Sequence, residues 1–255
     1  MKNVGAILIP HTSKKLLKNN LIEVIYMKKF LLIISLVILS IVAILIGQGY
    51  KMYKDVIDET PLAEKIEAIK EQEEYTKLSD IPSIYKNAVI SVEDHRFYKH
   101  CGIDIISIIR AAFNDIRTKS FVEGGSTITQ QLSKNMYFTQ EKKITRKIAE
   151  VFMAREIEKN YNKDEILELY INTIYYGNGY YNIKSASLGY FGKLPKDLNS
   201  GECVMLVGIP NAPSLYNPKV SVELAKQRQK QVIQKMIKYG NLSEGEADKI
   251  LNENN

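Results

Sequence analysis

The sequence predicts a mainly α-helical protein with one transmembrane helix near its N-terminal end. Three observations lead there. Phe30 to Ile46 (FLLIISLVILSIVAILI) carries no formal charge. Apolar residues recur at helical spacing through much of the remaining chain. Side chains suited to helix N-caps punctuate it at regular intervals.

The apolar run would span about 25 Å as a helix at about 1.5 Å per residue, just enough to cross a bilayer. Residues 1–29 hold six lysines against one acid, Glu23, so they carry +5 of the chain's formal +6. With Lys28 and Lys29 abutting the apolar run, this asymmetry puts the N-terminus in the cytoplasm and everything after Tyr50 outside. The charge is therefore a topological signal, and no nucleic-acid partner is expected. The run exceeds the ~7–15 residues of a signal-peptide core, and Ile46-Gly47-Gln48 lacks a small-x-small cleavage pattern, so the helix reads as an uncleaved anchor. Met27-Lys28-Lys29-Phe30 reads as a natural start, which leaves the true start open between Met1 and Met27. Cys101 and Cys203 are too few for a disulfide framework, are not in metal-ligand spacing with the three histidines, and read as a free buried pair.

The expected organisation is a cytoplasmic basic tail over 1–29, an anchor over 30–47, a juxtamembrane helix or linker over 48–78, and a main domain over 79–255. In the linker, Thr60-Pro61 offers an N-cap and a first-turn proline, and Leu62, Ile66 and Ile69 form a thin apolar stripe. Ile84, Tyr85, Ala88, Val89 and Val92 predict a helix that delivers Glu93 at its C-terminal end. Asp104, Thr145, Asn162 with Glu165, Asn199 or Ser200 with Glu202, Ser221, and Ser243 with Glu246 are the expected starts of the later helices. Gly124-Gly125 and Gly177-Asn178-Gly179 mark the intervening loops.

Acids, histidines and aromatics crowd Glu93-Asp94-His95-Arg96-Phe97-Tyr98-Lys99-His100-Cys101-Gly102-Ile103-Asp104, at the mouth of a loop between two helices, a place that functional residues favour. This stretch resembles the first signature of the peptidoglycan glycosyltransferases, the biosynthetic transglycosylases of family 51 whose domain also stands at the front of bifunctional class A penicillin-binding proteins. Four further stretches resemble the remaining signatures in the family's order. They are Glu123-Gly124-Gly125-Ser126-Thr127-Ile128-Thr129-Gln130-Gln131-Leu132, then Arg146 to Glu150 running on to Ile166–Asn172, then Tyr176-Gly177-Asn178-Gly179 through Tyr190-Phe191-Gly192-Lys193, and Gly201-Glu202 through Tyr216-Asn217-Pro218. Five signatures in order over about Ser79 to Tyr239 are far more specific than any one of them. Tyr180-Tyr181 and Ser185-Ala186 depart from the family's usual residues, which bears on acceptor-site detail.

The resemblance implies a lysozyme-like, two-lobed domain with donor and acceptor in the cleft between the lobes. It implies an inverting reaction that joins the 4-hydroxyl of one lipid-linked disaccharide, lipid II, to the anomeric carbon of a growing lipid-linked glycan, whose lipid diphosphate leaves. A sugar hydroxyl is a poor nucleophile, so a carboxylate must take its proton, a contribution of ~10²- to 10⁴-fold. Glu93 matches that general base, and Glu150 matches the family's second acid. The leaving diphosphate calls for fixed cations. From Lys134 to Lys163 there are eight Lys or Arg against four Glu, and Lys134, Lys142, Arg146 and Lys147 fall at the matching positions. Asp94, Phe97, His100, Ser126, Thr127, Gln130, Gln131 and Asn172 complete the expected substrate side, with His100 a structural hydrogen-bonder rather than an acid-base group. Glu165 reads as a capping residue. No protein metal ligand is expected, although a divalent cation, Mg or Mn, at the diphosphate is left open. The expected partners are the membrane and a separate transpeptidase, since the chain ends soon after the fifth signature. A wall-cleaving glycosidase and a non-catalytic adaptor are the rival readings; the basic run disfavours the first and the intact Glu93 and Glu150 the second.

Overall fold

The computed structural model describes residues 11–118, 124–139, 141 and 143–252. Among them every regular element is helical. The chain divides into two compact units, Met1–Gln48 and Gly49–Asn255.

The first unit is the apolar part of α1 (His11–Glu59). Phe30, Leu31, Leu32 and Ile33 are each more than half exposed, and so are most of the apolar side chains that follow. A helix with an apolar face all round has no aqueous side, and from Ile25 onward α1 is long and apolar enough to cross a membrane.

The second unit begins at Gly49, well before the expected boundary at Ser79. The reason is the thin apolar stripe: Leu62, Ile66 and Ile69 of α2 (Leu62–Lys70) are buried in the main core, so the segment read as a linker is packed. Pro61 itself takes the N-cap position of α2, with no side-chain cap, in place of Thr60.

Eight further long helices follow up to the C-terminal one: α3 (Ser83–Glu93), α4 (Ile105–Thr118), α5 (Ile128–Tyr137), α6 (Ile144–Asn160), α7 (Lys163–Ile171), α8 (Ile183–Phe191), α9 (Ser200–Gly208) and α10 (Val222–Lys238), with α11 (Glu244–Asn252) last. Most starts obey the capping signals. Asp104 accepts from the Ile106 and Ser107 amides at 3.1 Å, and Asn162–Glu165 and Asn199–Glu202 form reciprocal capping boxes. Ser221 caps α10. Thr145 does not cap α6, which starts one residue earlier behind Lys143.

Helices α5, α6 and α7 pack together, and α3, α9, α10 and α11 form a second group, with α8 on α9. Tyr85, Phe97, Ile128, Leu132, Met153, Ile157 and Tyr170 are fully buried in the shared core. This is the two-lobed, lysozyme-like arrangement expected. The cysteines are not a buried pair: Cys101 is exposed, whereas Cys203 is buried and its thiol is pushed up to about 12 by burial.

Candidate active site

A cleft of about 580 Å³ opens where the end of α3, the loop before α5, the start of α4 and one face of α10 meet. Glu93 lines it from the last turn of α3. Its Oε2 accepts from Gln131 Nε2 at 2.8 Å, and Gln131 Oε1 accepts in turn from the Tyr170 hydroxyl at 3.2 Å.

The neighbouring acid does different work. Asp94 is 6% exposed and accepts from His100 Nε2 and from the Ile128 amide, at 2.9 and 3.1 Å. It fastens the C-terminal end of α3, which carries Glu93, to the N-terminus of α5, where partial positive charge favours a carboxylate. His100 is thus a hydrogen-bonding partner of Asp94, and its side chain, placed on the substrate side by the sequence reading, lies outside the cleft lining. His95 stacks on Tyr239 at 4.1 Å and accepts from Arg110 at 3.0 Å. Burial, followed by the Arg110 charge, lowers its pKa.

Thr127 and Gln130, expected to meet substrate, are almost fully buried and build the start of α5; Thr127 also lines the cleft, and Gln130 does not. Thr127 Oγ1 accepts from the Gln130 amide and donates to the Gly102 carbonyl at 2.6 Å, while Gln130 Oε1 accepts from the Thr127 amide. Gly102 sits at φ +80°, where a side chain would press on the Ala154 carbonyl at 3.1 Å. The T-x-x-Q spacing is itself a capping box, and that was the available signal. Phe97 is core with no exposure. Asn172 straps Thr76: its Oδ1 accepts from the Thr76 amide at 2.9 Å and its Nδ2 donates to the Thr76 carbonyl at 2.8 Å. Gln130, Phe97 and Asn172 lie outside the cleft lining, and their polar groups or faces are already used.

Ser126 lines the cleft and accepts from Lys147 Nζ at 2.7 Å, linking the cleft to a cation cluster on α6. There Glu150, 1% exposed, accepts from Arg146 Nη1 at 2.6 Å and Lys147 Nζ at 2.8 Å. The Arg146 Nε is buried with no hydrogen-bond partner among the described residues. Lys134 of α5 is half-buried beside them. Burial lowers its pKa first, Glu150 opposes that, and Arg146 and Lys147 add to it. Lys142 lies outside the described residues.

The opposite wall carries residues that the sequence reading missed. Arg228, Gln231, Gln234, Lys235 and Lys238 of α10 line the cleft. Arg228 Nη1 donates to Gln231 at 2.9 Å, and its Nε is buried with no partner among the described residues. Lys235 donates to the Val92 carbonyl at 3.1 Å, beside Glu93. Their spacing along one helical face was the signal, but a charged helix face is ordinarily a solvated one.

Asp94, His100 and Asp104 present atoms close enough to share a metal ion. Asp104, however, already accepts from Arg96 Nε at 2.9 Å, from Ser107 Oγ and from two backbone amides. That saturation makes the group a capping network.

The transglycosylase family model matches residues 59–237, which takes in the cleft and its cations except for Lys238 and Tyr239 at its edge. The chain belongs to that family. Penicillin-binding protein 1A of Neisseria gonorrhoeae is 45% identical over 184 residues, covering 72% of this chain and 23% of that protein. The Neisseria cinerea protein of the same name is 44% identical over the same lengths. This chain therefore spans about a quarter of those relatives. A Cupriavidus necator protein carrying a provisional transglycosylase name is 41% identical over 193 residues, covering 76% of this chain and 83% of that one. The crystal structure of penicillin-binding protein 1A from Haemophilus influenzae aligns with TM-score 0.35 and 28% identity over 49% of this chain and 16% of that one. Glu93 lies within the matched range.

Proposed function

We propose that this transglycosylase is a peptidoglycan glycosyltransferase that polymerises lipid II into glycan strands of the cell wall and releases the lipid diphosphate. The observation that carries the reading is a carboxylate in a polar cleft with cations on two sides of it. Glu93 feels the charge of Lys134 from α5 and of Arg228 from α10. A reaction that joins two diphosphate-bearing lipids needs a base between two anion-binding regions.

In this reading Glu93 takes the proton from the attacking 4-hydroxyl of the acceptor. Lys134, Arg146 and Lys147 hold the leaving diphosphate, where fixed cations meet the charge as it develops. Glu150 arranges two of those cations, since both of its oxygens are engaged by them. Ser126 and Gln131 supply polar contacts on the cleft side. The α10 wall, led by Arg228, Lys235 and Lys238, faces the acceptor and its own diphosphate. The residues around Glu150 do not fit a resident divalent cation: a single carboxylate with both oxygens in ion pairs is no oxygen cage.

The membrane helix α1 would hold the cleft at the surface where both lipids lie, with the N-terminus cytoplasmic and the second unit outside. Cross-linking of the strands is assigned to a separate transpeptidase.

The test is to incubate the detergent-solubilised full chain with lipid II and separate the products on a gel. A ladder of glycan strands is expected from the wild type and none from Glu93→Gln, which keeps size and hydrogen bonding but removes the base. Wild-type-like turnover by Glu93→Gln would remove Glu93 from the chemistry, and absence of polymer from the wild type would overturn the function.

A further inference from the structure

We propose that Tyr170 is a positioning residue for Glu93, acting through the side-chain amide of Gln131. The inference rests on the reading of Glu93 as the base, and it assigns a task to a buried polar group in α7 that the mechanism otherwise leaves unused.

Tyr170 is 1% exposed, and its ring fills the core shared by α5 and α7. Its hydroxyl donates to Gln131 Oε1 at 3.2 Å, and Gln131 Nε2 donates to Glu93 Oε2 at 2.8 Å. A glutamine amide has one donor end and one acceptor end, so fixing one fixes the other. Burial, with the Glu93 charge second, pushes the Tyr170 phenol well above its ordinary value, so it keeps its proton. The phenol therefore remains available as a donor.

If the amide flipped, two penalties would arise together. Gln131 Oε1 would face the carboxylate, acceptor against acceptor. The buried phenol proton would also lose its acceptor, and an unmet buried donor costs about 1–3 kcal/mol. Without the phenol only the first penalty remains, and Gln131, which lines the cleft, can turn toward it. Glu93 would then lose the donor that fixes its orientation and would accept a proton more readily. The phenol thus sets which end of the amide meets the base.

Several charged groups face Glu93 and must stay constant in any test of its titration. Lys134 reaches it from α5 and Arg228 from α10, and Asp94 follows it in the chain. The cleft adds His95, Arg110, Lys235 and Lys238. None of these is altered in the variants below.

The experiment measures polymerisation of lipid II by the full chain in detergent as a function of pH. Tyr170→Phe should lower kcat by about tenfold, a part of the ~10²- to 10⁴-fold that a positioned base contributes, with KM nearly unchanged. The acid limb of its kcat/KM profile should move up by about half to one pH unit. Tyr85→Phe is the matched control, because Tyr85 is equally buried but its hydroxyl pairs with Tyr176. Its acid limb should stay in place. Two analogues that fill the hydroxyl's volume keep the test valid if phenylalanine leaves a damaging void. 4-Aminophenylalanine at position 170 retains an N–H donor and should restore the profile, and 4-fluorophenylalanine has none and should not. Equal displacement by both analogues, or by Tyr85→Phe, would overturn the proposal, as would an unmoved limb in Tyr170→Phe. Glu93→Gln run alongside separates the two claims. If it stays active, the base assignment falls. If it is inactive while Tyr170→Phe keeps the wild-type limb, only the positioning role falls.

Discussion

Removing the Glu150 carboxylate tests whether that residue arranges cations or takes part in the chemistry. Glu150 is 1% exposed and is engaged by Arg146, whose side chain is 14% exposed, and by Lys147, at 45%. Glu150→Ala leaves the Arg146 guanidinium buried without its counter-ion, and breaking one side of a buried pair costs about 3–5 kcal/mol. Lys147 is exposed enough to regain water, so the loss should lie near the lower end, ~3 kcal/mol. At roughly 2–4 °C per kcal/mol for a chain of this size, Tm should fall by about 6–12 °C. Glu150→Gln retains an acceptor for one cation and should cost less, about 1–2 kcal/mol. The assay is thermal unfolding of the full chain in detergent, with and without inorganic pyrophosphate. The anion should recover more Tm in Glu150→Ala than in wild type, because it replaces the missing negative charge and binds only the folded arrangement. A Glu150→Ala variant with wild-type Tm, no response to pyrophosphate and no turnover would refute this reasoning, and would place the carboxylate in the reaction itself.

Three further outcomes are expected. Burial lowers the pKa of Lys134 from its ordinary 10.5, so as pH rises its ammonium is lost earlier than that of a free lysine and diphosphate handling should decline; Lys134→Arg, charged throughout, should move the alkaline limb of the pH–rate profile upward, and an unmoved limb would remove Lys134 from that role. Thr127→Ala deletes the α5 cap and leaves the buried Gly102 carbonyl without its donor, so thermal unfolding should register a loss of roughly 2–3 kcal/mol. At Gly49 a Cβ would meet Ile148 Cγ2 at 2.5 Å, whereas at Gly47 it would meet nothing within 4 Å; Gly49→Val should therefore cost about 1–3 kcal/mol by overpacking against α6, and Gly47→Val, compared in the same melt, far less.

The helical class was legible because its signals are local. An apolar stretch such as Phe30 to Ile46, or a box such as Asn162–Glu165, needs only neighbours in sequence to be interpreted, and both formed as expected. The end of α3 at Glu93 was legible for a related reason, from the helical spacing of Ile84 to Val92, whereas the role expected of Glu93 came from the resemblance to the family's first signature. The capping role of Thr127 and Gln130 was overlooked although their spacing spelled a capping box, because hydroxyl and amide groups suit a sugar as well as a backbone and the choice depends on burial. Leu62, Ile66 and Ile69 looked too thin a stripe for a core helix, since the partners that complete the core lie far away in the chain. The same limit hid the Tyr170 contact, which spans 39 residues to Gln131.

The α10 wall exposes a more general reason why one side of the cleft was visible and the other was not. Lys134, Arg146 and Lys147 were visible because they fall at positions that resemble the family's signatures. Arg228, Lys235 and Lys238 lie with Lys226 and Lys230 on a helix that carries a single acid, Glu223, and whose opposite face, with Ala225, Val232, Ile233 and Met236, is core. An amphipathic helix is expected to show water a polar face, so nothing in its pattern distinguishes a face turned to bulk solvent from one turned into a cleft. What distinguishes them is the α3 carboxylate opposite, because Arg228 is stripped of water enough to lower its pKa while the charge of Glu93 pulls it back up. A cation held at that desolvation cost beside the proposed base is better matched to an anionic ligand than to bulk water. That match supports giving the acceptor's diphosphate to α10, leaving Lys134 and the α6 cluster for the group that departs.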